Sequence, residues 1–153
     1  MRSIALFFHL LGALLFVSGI VLAGVAFEAA RRRQRPVEIA LLLGLTRIGV
    51  MLVGVGALLL LAFGVWLVHL EHLSYRAGWI SASIALYIAA LGLGAVGGRR
   101  PKQARHLATK IAADGGAIDP PLRSLLDDRF SLAVNYGSGM LVLAILVLMV
   151  FKP

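Results

Sequence analysis

Gly44 to Val68 reads GLTRIGVMLVGVGALLLLAFGVWLV, an apolar run interrupted by one charged side chain, Arg47. As a helix it rises roughly 38 Å, enough to cross a hydrocarbon core of about 30 Å with some tilt. In lipid only a helix or a closed barrel satisfies its own backbone, so the run predicts a transmembrane α-helix. Outward from it, Ile4 to Phe27 precedes, and Gly78 to Gly98 and Ser131 to Phe151 follow, with the same character. The expected fold is all-α: a polytopic membrane protein built as a four-transmembrane-helix bundle, one domain over residues 1–153.

The composition agrees, at 60% hydrophobic with a mean hydropathy of +0.93. A net charge of +8 would suggest nucleic acid in a soluble protein. Here the arginines flank membrane runs, where they set orientation and meet anionic lipid, so no nucleic-acid partner is expected. The chain has no cysteine, which excludes disulfides, thiolate metal sites, cysteine-held iron–sulfur clusters and covalent c-type haem. Any metal or haem ligand must be His, Met, Tyr or carboxylate. Met1-Arg2-Ser3 before an apolar run, with Gly24-Val25-Ala26 after it, looks like a signal peptide. The run is too long for that, and Arg31-Arg32-Arg33 follows at once, so it is read as a retained span.

The segments between spans divide the cations unequally. Arg31, Arg32, Arg33, Arg35, Arg47, Arg99, Arg100, Lys102, Arg105, Lys110, Arg123 and Arg129 fall on one side, and Arg2, Arg76 and Lys152 on the other. The positive-inside rule then predicts both termini outside and a basic cytoplasmic loop over residues 99–130. Trp66, Tyr75 and Trp79 gather at the expected outer boundary, as amphipathic rings do at headgroup level. In the basic loop, Pro101 can open a helix running through Leu107 and Ile111, with Gly115-Gly116 to close it. Pro120-Pro121 restarts the chain, and Leu122, Leu125 and Leu126 form an apolar face. This loop reads as a connector resting on the inner leaflet against anionic lipids, with a docking surface for a partner as the rival.

Small residues mark helix contacts. Gly49, Gly56 and Gly64 are spaced by seven and eight and fall near one face; Gly19 with Ala23 and Gly94 with Gly98 are small-xxx-small pairs. The same grooves would serve packing within the chain or homo-oligomerisation. Ser131, Asn135 and Ser138 share a stripe that should face protein, and a polar contact among Thr46, Arg47 and Asn135 is expected at the inner boundary.

His9, His69 and His72 all fall near the expected external face, whereas His106 lies in the basic loop. Neutral imidazole binds copper, zinc and haem iron, so His9, His69 and His72 are the candidate ligands of a copper or haem b site. His72 shares the face of His69 if the helix continues through Leu70 and Glu71, which with Met1 or Met140 could assist. The rival reading is interfacial histidines satisfied by water, headgroups or a carbonyl. No Ser/His/Asp set, phosphate loop or paired membrane carboxylate is present, so hydrolase, ATPase and carboxylate proton pump lack support.

Phe8-His9-Leu10-Leu11-Gly12-Ala13, Val17-Ser18-Gly19, Arg47 and the terminal Leu148-Met149-Val150-Phe151-Lys152-Pro153 resemble a bacterial family of predicted integral membrane proteins of unknown function. That family is similar in layout to copper-resistance D-type membrane proteins. The resemblance implies four inner-membrane helices and, through His9 alone, copper handling or haem-dependent oxidation. The histidine–lysine arrangement of the oxidase type has no counterpart here. Two functional expectations follow: copper or haem binding or transport through external histidines, or an accessory subunit of a larger membrane complex without a cofactor. A small haem-bearing oxidoreductase ranks behind both.

Overall fold

The computed structural model describes residues 1–75 and 78–151, with the side chains of Ser131, Leu132 and Asn135 outside that description. Six helices follow one another: α1 (Arg2–Arg31), α2 (Pro36–Leu70), α3 (Gly78–Gly97), α4 (Arg99–Ala113), α5 (Pro120–Leu126) and α6 (Arg129–Phe151). Three helical stretches are long and apolar enough to cross a membrane: Arg2–Arg31, Pro36–Leu70 and Gly78–Ala113, where α3 runs on into α4. The described apolar part of α6, Tyr136–Phe151, is shorter.

The tightest packing is between α1 and α2, and its cause is the glycine spacing. A Cβ built on Gly56 would lie 2.5 Å from the Phe16 nitrogen, one on Gly19 2.6 Å from the Gly49 oxygen, and one on Gly49 2.7 Å from the Gly19 oxygen. At Gly12 the same atom would meet Leu59 Cβ and the Leu60 nitrogen, both at 2.9 Å. The two backbones therefore touch along several turns, which only small residues permit. Gly49, Gly56 and Gly64 do share the face turned to α1, and Ala23 packs opposite Gly49, as the sequence spacing indicated.

The second helix departs from expectation at its start. Its apolar core begins near Gly44, but the helix opens at Pro36, with proline in its first turn and Glu38 beside it favouring the positive helix end. The added turns carry Ile39 and Leu43, both fully buried. They join Phe27 and Ala30 of α1, Ala104 and Ala108 of α4, and Leu122 and Leu126 of α5 in one cluster at the basic end. Burying each large side chain contributes roughly 1.5–3 kcal/mol. The 99–130 segment is thus a collar docked on α1 and α2, instead of a connector resting alone on the leaflet.

Local chemistry sets the collar. Asp119 accepts the Leu122 N–H at 3.0 Å and Pro120 follows it, a capped start for α5. Gly115, at φ +65°, turns the chain out of α4 where a side chain would be strained. Arg123 Nη1 donates to the Arg31 and Arg33 carbonyls at 3.1 and 3.3 Å, satisfying acceptors left bare where α1 ends. Asp127 pairs with Arg31 and Arg123, while Glu28 pairs with Arg31 and Arg32.

The remaining pair, α3 and α6, packs together through Gly97 against Val134. It meets the α1–α2 pair over a small patch: Phe16, Ala57 and Val142 form a cluster with Tyr87 at its edge. The Tyr87 hydroxyl donates to the Ala57 carbonyl at 2.8 Å. Between α1 and α6 an open trough of about 550 Å³ runs along Val21, Val25, Glu28, Arg32 and Tyr136. The architecture is accordingly two helix pairs joined locally, rather than one evenly packed four-helix bundle.

Candidate functional site

At the end of the molecule remote from the collar, His9 lies half-buried in the α1–α2 seam. Its Nδ1–H donates to the Leu60 carbonyl at 3.2 Å, which leaves Nε2 as the bare nitrogen of the neutral ring. The ring packs over Gly64, where a Cβ would stand 3.1 Å from His9 Cε1. Gly64 thus makes room for the imidazole. Around the same end Phe8 stacks on Phe63 at 4.8 Å, and Phe63 leans on Trp66 at 5.8 Å. Arg2 pairs with Glu71, joining the two helix ends.

The other two histidines are not in this seam. His69 follows Gly64 by five residues, a rotation of about 140° around α2, and is exposed. The condition for a face shared with His72, a helix continuing through Glu71, is not met. The helix ends at Leu70, and the Leu73 N–H closes on the Val68 carbonyl at 3.0 Å. His72 occupies the turn at φ +50°, so it leaves the helix and shares no face with His69. That closure usually uses glycine, and an L side chain there costs about 1–2 kcal/mol. His72→Gly relieves this strain against greater chain entropy in the unfolded state, for an expected gain of about 0.5 kcal/mol in denaturant titration.

Among the described residues no three His, Cys, Asp or Glu side chains gather closely enough to hold a metal ion. Glu71 is engaged with Arg2, and Met1 and Met140 are 86% and 71% exposed. In the α1–α2 seam His9 supplies a single imidazole.

At the basic end, Thr46 is buried and donates to the Leu43 carbonyl of its own helix at 2.6 Å. Arg47 points toward α4, where Ala40, Gly44 and Arg47 of α2 face Arg105, His106, Thr109 and Lys110 across an open groove of about 610 Å³. The third expected member of that contact, Asn135, has its side chain outside the described residues, as does Ser131 of the polar stripe; Ser138 of that stripe is buried. The groove was not anticipated, because it needs α2 to extend below Gly44 and α4 to dock on the extension.

The glycines differ in what surrounds them, and α2 itself holds both kinds, with Gly44 and Gly54 open. Gly12, Gly19, Gly49 and Gly56 are closed by backbone, whereas a Cβ on Gly92, Gly94, Gly137 or Gly139 of the α3–α6 pair would meet nothing within 4 Å. The expected Gly94–Gly98 packing motif is thus unused inside the chain at Gly94.

These long apolar helices suit a protein built for lipid, and the family comparison agrees over residues 3–153. The chain belongs to the DUF2269 family of predicted integral membrane proteins. The function of this family is unknown. No curated protein and no solved structure matches this DUF2269 chain.

Proposed function

We propose that this DUF2269 protein is a non-catalytic membrane subunit. The α1–α2 pair and its collar act as a rigid post, and the α3–α6 pair offers its glycine faces to a helix of a second subunit. The observation that supports this reading is that Gly12, Gly19, Gly49 and Gly56 of α1–α2 are closed by backbone, with Gly44 and Gly54 of α2 open. On α3 and α6, by contrast, Gly92, Gly94, Gly137 and Gly139 are open, and Gly97 meets a side chain, that of Val134. Glycine inside a helix costs roughly 1 kcal/mol relative to alanine, a cost offset where it lets another backbone approach. In this reading α6 is the fourth crossing, the collar is cytoplasmic, and both termini face outward from an inner membrane, following the excess of arginine at the collar end.

Gly94→Leu tests it. The side chain has open space, so the monomer should fold with stability changed by no more than about 0.5 kcal/mol, while the assembled mass read by native mass spectrometry falls to that of the single chain. A wild-type protein that is monomeric after gentle extraction would remove the proposal.

A second reading, His9 as a lone imidazole ligand to haem or copper, draws support from the bare Nε2 that the Leu60 hydrogen bond leaves. A Soret band or stoichiometric copper lost in His9→Ala would carry it. Colourless, metal-free protein would leave the subunit reading alone.

A further inference from the structure

Seven acidic residues and fifteen cations are unevenly matched along this chain, and the structure shows where the matching stops. Glu28, Glu38, Glu71, Asp127 and Asp128 pair with Arg2, Arg31, Arg32, Arg33, Arg35, Arg100 and Arg123. Asp119 is used as a helix cap, and Asp114, exposed at the end of α4, does not line the groove. Arg99, Lys102 and Arg129 also lie outside these ion pairs. Arg47, Arg105 and Lys110, which line one groove from two helices, have no carboxylate partner among the described residues, and no acidic side chain lines the groove with them.

The groove is built rather than incidental. Ala40, Gly44 and Arg47 recur at four and three residues on one face of α2, and Arg105, His106, Thr109 and Lys110 recur on one face of α4. The two helices are held in register by Ile39 and Leu43 against Ala104 and Ala108, so the cations are brought together by a buried core and not by loop mobility. Gly44 forms part of the wall with nothing within 4 Å of its absent Cβ, which keeps the groove open to about 610 Å³. Depth points to the occupant. Counting back about twenty residues from Trp66 and Val68, the length that spans hydrocarbon, reaches Thr46 and Ile48. Arg47 then stands at the hydrocarbon boundary, with α4 in the headgroup layer beside it.

We propose that this α2–α4 groove is a binding site for the phosphodiester headgroup of an anionic glycerophospholipid, with Arg47, Arg105 and Lys110 as its cationic ligands and Gly44 keeping the entry open. Guanidinium groups from two helices can hold phosphate oxygens by charged hydrogen bonds, and basic clefts between helices on the cytoplasmic side are suited to such headgroups. The proposal is independent of the subunit reading, since it concerns the post and not the α3–α6 faces.

The test is a titration of phosphatidylglycerol into the whole protein in a zwitterionic detergent, followed by native mass spectrometry, with phosphatidylcholine as the neutral comparison. Substituting Arg47, Arg105 and Lys110 together by glutamine should weaken the phosphatidylglycerol adduct by about a hundredfold, given about 1 kcal/mol per cation at the surface. The same change at Arg99, Lys102 and Arg129, outside the groove, should leave it within about threefold. Gly44→Leu keeps every charge and should also abolish the adduct, so an unfolded triple variant does not leave the question open. Equal losses in both triples, or no preference for phosphatidylglycerol in the wild type, would overturn the site. Displacement of the lipid by millimolar inorganic phosphate would show a site for a free anion and overturn the lipid assignment.

Discussion

Gly56→Leu should separate α1 from α2 and remove most of the folded protein. A leucine there must displace the Phe16 backbone nitrogen 2.5 Å from its Cβ and the Gly12 carbonyl at 2.7 Å, and neither can rotate away as a side chain would. Ordinary overpacking costs about 1–3 kcal/mol; a backbone on both sides puts this case at or above about 3 kcal/mol, a large part of a typical stability of 5–15 kcal/mol. Denaturant titration of helical ellipticity in detergent measures it. Gly54→Leu, two residues away on the open face with nothing within 4 Å, should change stability by less than about 0.5 kcal/mol. Equal behaviour of the two variants would mean that α1 and α2 are not in backbone contact.

Leu122→Ala should loosen the collar while leaving the helix pair intact. Leu122 is fully buried among Ile39, Leu43, Ala104 and Ala108, so truncation leaves a cavity and costs about 2–5 kcal/mol. Because α5 has seven residues and little helical stability of its own, the loss should be local. Hydrogen exchange over Pro120–Leu126 should approach the unprotected rate, with the α1–α2 amides still protected. Protection unchanged in α5 would show that its leucines are not its anchor.

How far the sequence alone carried these conclusions depended on the range of the physics. The face shared by Gly49, Gly56 and Gly64 follows from helical period, a local property, and the structure has all three against α1. The start of α2 at Pro36 was also written locally, in proline followed by Glu38, but hydropathy drew attention to Gly44 instead. Leu122, Leu125 and Leu126 were readable as an apolar face, yet their partners Ile39 and Leu43 lie some eighty residues earlier, and no periodicity reports that meeting. The turn at His72 was not legible for a related reason: such a left-handed position is normally announced by glycine or asparagine, and here the signal was absent. Thr46 and Arg47 were read as members of one polar contact with Asn135, whose side chain lies outside the described residues. Thr46 found its own helix and Arg47 the α4 groove, a choice set by docking of the collar. His9 was readable as an imidazole that must be satisfied inside an apolar span, and Leu60 is the group that satisfies it.

The post and the open α3–α6 pair make different demands on their glycines, and that difference is the centre of the account. The measurement that reaches it most directly is photo-cross-linking in native membranes, which needs no thiol on the neighbouring helix. Gly94→p-benzoylphenylalanine, irradiated in the membrane, should yield a cross-linked species larger than the single chain, while Gly44→p-benzoylphenylalanine, on the post, yields none. If the Gly94 variant stays monomeric under conditions that cross-link a known membrane dimer, the open faces meet only lipid and the subunit reading is wrong.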